Sequence, residues 1–224
     1  MRQPYSRSED KGAGEAAARA QPADTEAVFV THPIFRAPAW GSLHPLAISR
    51  QAPVLGLCEA LGWLPAPAVQ VCAPATTETL TRFHAPDYVA AFEAASRAGL
   101  APVDVRTRFN FGTLENPIFP GIFERATASV GGSICAAQQA LNGQRAFHPA
   151  GGTHHGRRDR ASGFCYFNDP VFAIQTLLDG GAADPLLSRS RRPSRDGVEA
   201  ALPATRALFS SRSMKMAAGP IPAG

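Results

Sequence analysis

The feature that most constrains the fold is the stretch 124–142. It has the periodicity of a long helix, and much of its surface is small: Ala126, Ala128, Gly131, Gly132, Ala136 and Ala137. Small side chains let a helix approach a neighbour closely. Arg145-Ala146-Phe147 follows at once as a short strand. Upstream, Ala27-Val28-Phe29-Val30 runs into Thr31-His32-Pro33, as a buried strand ending at a loop does. Between them lie a roughly helical pattern over 46–63, with Pro53 expected to split or kink it, and short helices over Thr79–Phe83 and Pro86–Ala98. Pro86 suits a first helical turn, where its missing N–H costs nothing. Val171–Leu178 is apolar enough for a further helix. Strands alternating with helices indicate an α/β domain on a parallel sheet. Residues 106–123, which end in FNFGTLENPIFPGIF, read as a long irregular loop, and such loops are often functional.

Composition excludes several classes. With 224 residues and 45% hydrophobic content the chain can bury an ordinary core. No apolar run reaches membrane-span length, and the first residues lack a secretory apolar region. The expectation is a cytoplasmic protein with a flexible leader over 1–26. Cys58, Cys72, Cys135 and Cys165 show no metal-type spacing and read as thiols in a reducing compartment. The net charge of +4 is unevenly placed: residues 185–224 carry seven Lys or Arg against two acids, so the rest of the chain sits near −1. A basic tail with no interleaved aromatics makes nucleic-acid binding the weakest reading.

The chemistry concentrates in Gly151-Gly152-Thr153-His154-His155-Gly156. Two imidazoles follow a glycine pair just after a short strand, where α/β sheets bind ligands. Such a pair suits a general base with an electrostatic partner; two solvated loop histidines would have the same sequence.

The longer string decides between them. GGTHHGRRDRASGFCYFNDPVFAI resembles the active-site signature of the histone deacetylase superfamily, which includes acetoin-utilisation-type deacetylases and acetylpolyamine amidohydrolases. His44-Pro45-Leu46-Ala47-Ile48-Ser49-Arg50 resembles that family's HP-x4-R segment. Arg82-Phe83-His84-Ala85-Pro86-Asp87-Tyr88 resembles its FH-x-x-DY segment, and Leu114 to Phe123 its loop before the small-residue helix. The likeness covers roughly 27–182, in the family's order.

The resemblance implies an arginase/deacetylase-type parallel sheet flanked by helices, here incomplete because the later strands are missing. It implies a zinc-dependent amidohydrolase that removes acetyl groups from acetylated lysine or amine substrates. By it, His155 is the general base toward a zinc-bound water and His154 its electrostatic partner. Phe164 and Gly163 line the acyl tunnel, Glu115 is an acidic rim residue that holds substrate backbone, and Arg50 belongs to an acetate-exit channel. His32, His44, His84 and His148 are structural.

One part of the pattern is missing. The family's Asp-x-His zinc ligands would fall at Arg191 and Pro193, neither of which can ligate a metal. Asp196, followed by Gly197, matches the end of the motif and is a candidate to orient a histidine. Arg189–Arg195 can be encoded by CGA TCT CGA CGC CCA TCA CGG. Read one nucleotide later, that string gives Asp-Leu-Asp-Ala-His-His-Gly. Ser213–Gly224 behaves similarly with another offset. The expectation is therefore that 183–224 is a mis-framed or disordered basic tail, that the chain stops early, and that it binds no stoichiometric zinc and is inactive. The alternatives are a catalytically dead acyl-lysine binding module or a remnant without function.

Overall fold

The computed structural model describes residues 27–37, 51–183, 186–187, 197–201 and 216–217. β1 (Ala27–Thr31) ends where His32 caps a 3-10 turn over Pro33–Arg36, its Nδ1 accepting from the Ile34 N–H. α1 (Gln51–Ala60) keeps Pro53 in its first turn, so the expected split does not arise among the described residues. β2 (Val69–Val71) follows. α2 (Thr77–Thr81) begins two residues earlier than the apolar pattern suggests, because Thr76 Oγ1 accepts from the Thr79 N–H. α3 (Pro86–Ala98) starts at its proline and stops at Gly99, whose φ of +71° is left-handed. α4 (Val103–Phe109) carries Asp104 in its first turn and ends on left-handed Asn110. α5 (Ile122–Leu141), β3 (Arg145–Phe147) and α6 (Asp169–Asp179) complete the well-formed part. Short pieces β4 (Leu186–Leu187), α7 (Gly197–Ala201) and β5 (Met216–Ala217) lie inside 183–224, the segment expected to be a mis-framed or disordered tail; apart from Ala183, the rest of that segment falls outside the described residues.

β1 is the middle strand of a parallel sheet ordered β2-β1-β3, with Phe29 opposite both Val69 and Phe147. Its residues Val28–Thr31 are buried, as a strand paired on both edges under a helix requires. β4 and β5 pair separately and antiparallel. α5 packs between this sheet and α6. Its glycine pair explains how. A Cβ on Gly131 would lie 2.0 Å from the Ala73 carbonyl oxygen, and one on Gly132 would lie 2.4 Å from the His148 ring. The loop after β2 and the His148 imidazole occupy that room, and His148 sits between the carbonyls of Val30 and Ser129.

The main core is aromatic. Phe92 is fully buried and stacks parallel on Tyr166 at 4.6 Å, with Phe111, Phe123 and Phe167 around it. These rings come from α3, the 109–123 segment and the 164–167 segment, so the core itself gathers the site-forming loops. Burial raises the Tyr88 and Tyr166 phenols well above their ordinary range, and each O–H donates to a carbonyl, of Tyr166 and Pro117 respectively.

The cysteine expectation is corrected. Cys72, just after β2, and Cys135, on α5, form a disulfide across 63 residues. Spacing could not show this, because the fold alone brings the end of β2 beside α5. Cys58 and Cys165 remain thiols.

Candidate active site

The tandem histidines sit on the loop between β3 and α6, and a buried polar network fixes that loop. Asp169, the first residue of α6, is 2% exposed. Its Oδ2 accepts from the Gly152 N–H at 2.9 Å and from Ser133 Oγ of α5, and its Oδ1 accepts from the Thr153 N–H and hydroxyl. A carboxylate at a helix start is also favoured by the helix dipole. Thr153 Oγ1 lies 2.7 Å from the Phe167 carbonyl, and Asn168 Nδ2 donates to the carbonyls of His154 and Gly156.

His84 closes the far side. Its Nδ1 faces the Arg158 carbonyl at 3.2 Å, which can only accept, so Nδ1 carries the proton. Nε2 then accepts the Asn168 N–H at 3.1 Å. The ring is fully buried, and burial pushes its pKa down to about 4; the nearby Arg158 charge acts in the same direction and backbone hydrogen bonds oppose it. His84 is thus structural, as expected, and it is neutral.

The imidazoles of His154 and His155 lie 4.1 Å apart between centroids. His154 Nδ1 is 2.7 Å from the Gly152 carbonyl, an acceptor only, so the neutral ring is protonated there and its lone pair lies on Nε2. His155 packs against Gly163: a Cβ at that glycine would fall 2.8 Å from His155 Cδ2. Phe164 follows, 36% exposed. Glu115 reaches the same turn, its Oε1 accepting the Gly163 N–H at 2.8 Å. The structure therefore brings His154, His155, Gly163, Phe164 and Glu115 together.

Arg50, Arg191, Pro193, Asp196 and His44 lie outside the described residues. Next to Asp196, Gly197 packs on the loop: a Cβ there would sit 2.2 Å from the Gly156 carbonyl oxygen. Val198 is fully buried in the aromatic core. Among the described residues no group of His, Cys, Asp and Glu is arranged to hold a metal ion. At Arg191 and Pro193, the positions that the family resemblance assigns to zinc ligands, a guanidinium and a proline ring offer a metal no donor lone pair, so these two residues do not fit zinc. Asp169, Ser133, Asn168 and Asn116 were not singled out from sequence. The one signal for them was an acid immediately before the apolar run Pro170–Ile174.

The profile of the histone deacetylase domain matches residues 44–184. The chain belongs to the histone deacetylase family. It is 32% identical over 177 residues to the acetoin utilization protein AcuC of Bacillus subtilis, covering 78% of this chain and 45% of that protein. It is 39% identical over 108 residues to human histone deacetylase 1, covering 46% of this chain and 22% of the relative. The crystal structure of a deacetylase homologue complexed with SAHA superposes with a TM-score of 0.74 at 30% identity, over 80% of this chain and 48% of the other. A homologue from Aquifex aeolicus gives 0.74 at 28% identity, over 83% and 50%. The chain thus spans about half the length of AcuC and of the two solved homologues, and its match covers less than a quarter of human histone deacetylase 1. Its fold is an incomplete deacetylase-type α/β domain with a parallel sheet flanked by helices. No helix among the described residues is long and apolar enough to cross a membrane.

Proposed function

We propose that this chain carries the histidine half of a deacetylase-type amidohydrolase site, built for removing acetyl or similar acyl groups from lysine or amine substrates. One observation carries the reading: His154 and His155 stand ring to ring on a half-buried loop held by Asp169 and Asn168, with Gly163 against His155 and the part-exposed Phe164 beside it. Groups that move a proton in a fixed direction must be held in one orientation; the Gly152 carbonyl supplies this for His154, and Gly163 packs against the His155 ring. In this reading His155 is the base, His154 its partner, and Phe164 and Gly163 form one wall of an acyl channel. Arg50 belongs to the acetate-exit path. Asp196 is assigned by the family resemblance to orienting a histidine.

The family's zinc chemistry would polarise the acyl carbonyl, and here Arg191 and Pro193 cannot supply its ligands. The chain as it stands is therefore inactive on amides. A second reading, an acyl-lysine binding module without turnover, is favoured by the intact Gly163–Phe164 wall. One experiment separates them. The purified chain is assayed for zinc content, for acetate release from an Nε-acetyl-lysine peptide and from an acetylated polyamine, and for binding of both. No stoichiometric zinc and no release are expected. Saturable binding without release supports the binding module. Metal-dependent turnover overturns the proposal of inactivity.

A further inference from the structure

Phe164 stands in a conformation that phenylalanine rarely adopts. Ser162 and Cys165 form an antiparallel bridge, their N–H and carbonyl groups exchanging bonds at 3.1 and 2.9 Å. The two residues between them, Gly163 and Phe164, have φ of +57° and +64°. This is a two-residue hairpin turn with both central residues left-handed, a geometry that favours Asn followed by Gly. Here the second position holds a bulky aromatic. Such a conformation persists only where the surroundings over-determine it, and it tends to mark functional sites.

The surroundings are Glu115 and Asn116. Glu115 Oε1 accepts the Gly163 N–H at 2.8 Å, and Asn116 Oδ1 accepts the Phe164 N–H at 3.1 Å. Two consecutive amides of the turn are thus held by two consecutive side chains. The holders are themselves fixed. Asn116 is fully buried, its N–H donates to Thr113 Oγ1, and its carbonyl accepts from Gly112. Glu115 Oε2 accepts from Asn110 Nδ2 at 3.3 Å, and Asn110 Nδ2 also bonds the Ala161 carbonyl. Through Gly163, whose Cα leaves no room for a side chain against His155, the position of the turn is passed to the imidazole.

We propose that Glu115 and Asn116 are positioning residues: together they hold Phe164 in its left-handed conformation and, through Gly163, set the His155 ring. This rests on the reading of Phe164 and His155 as parts of one site. It gives Glu115 a task inside the protein, distinct from gripping substrate backbone.

The test reads the turn and not turnover, so the chain's inactivity does not affect it. The full chain is prepared with 4-fluorophenylalanine at 164, and its fluorine signal, the exchange rates of the Gly163 and Phe164 amides and the nitrogen resonances of the His155 ring are measured by NMR. In Glu115→Ala the Gly163 amide should exchange at least tenfold faster and the His155 resonances should move. Glu115→Gln retains an acceptor and should restore both. In Asn116→Ala the Phe164 amide should lose protection and the fluorine line should shift. Adding Phe164→Gly to Asn116→Ala should return the His155 resonances toward their original positions, because glycine takes the left-handed backbone without strain, while the amide of position 164, still lacking its acceptor, stays unprotected. Glu115 is exposed, so its variants keep the fold readable if Asn116→Ala does not fold. Unchanged turn amides, fluorine signal and His155 resonances in Glu115→Ala overturn the proposal.

Discussion

Lowering the pH from 7.5 to 5 should loosen this protein through one side chain, His84. Its ring is buried and neutral, with a pKa pushed down to about 4 from the ordinary 6.5. Between those values the unfolded chain takes up a proton that the folded chain refuses. Stability is therefore present in full above about pH 7.5 and is lost as the pH falls through 6.5 toward 4. The linkage relation gives a loss of about 2 kcal/mol at pH 5 and about 3 kcal/mol at pH 4. The structural cause is specific: a proton on Nε2 would face the Asn168 N–H, its present donor. Because Asn168 also holds the carbonyls of His154 and Gly156, the loop carrying the histidine pair should open first. Urea unfolding followed by circular dichroism at pH 7.5, 6.5, 5.5 and 5.0, for the natural chain and for His84→Asn, isolates the effect. The variant is less stable throughout, but its pH slope should be shallower by about 2 kcal/mol over the range. Identical slopes in the two proteins would refute the reasoning.

Three further outcomes follow from particular contacts. Closing a loop across 63 residues, the Cys72–Cys135 disulfide should contribute about 4 kcal/mol by chain-entropy reasoning, so Cys135→Ser or added reductant should lower the melting temperature, and a thiol assay in denaturant should rise on reduction. Asp169→Asn removes the charge that accepts from Gly152, Thr153 and Ser133; a loss of about 3 kcal/mol is expected in urea unfolding, with the Gly152 and Thr153 amides losing exchange protection ahead of α5. Phe92→Ala empties the centre of the aromatic core and should cost roughly 3–5 kcal/mol, read by the same unfolding assay.

The parts of the fold legible in the sequence were those with local punctuation. α3 shows both its ends, a proline that fits the first turn and a glycine that takes the left-handed exit. The small-residue stretch gives α5, and β1 and β3 follow from short runs next to clear loops. α4 was not legible: Val103-Asp104-Val105-Arg106-Thr107-Arg108-Phe109 has β-branched residues at alternate positions, and what makes it a helix is Phe109 reaching the core and Asn110 turning left-handed after it. β2 is three residues long and exists because Phe29–Thr31 offers it a ladder. At the site, the histidines, Gly163 and Phe164 were marked by the motif string. Their holders were not, because the bonds of Asp169 to Ser133, of His84 to Asn168 and of Asn116 to Phe164 join residues 36 to 84 positions apart. The disulfide was hidden for the same reason.

Central to the proposed function is the proposal that this is the histidine half of a deacetylase-family site whose metal-ligand segment is read out of frame. The nucleotide sequence coding for Arg189–Arg195 tests it most directly. The account predicts codons that, read one nucleotide later, give Asp-Leu-Asp-Ala-His-His-Gly. Codons that yield no Asp-x-His in either displaced frame would contradict it, and would make the arginine-rich segment a native part of the chain.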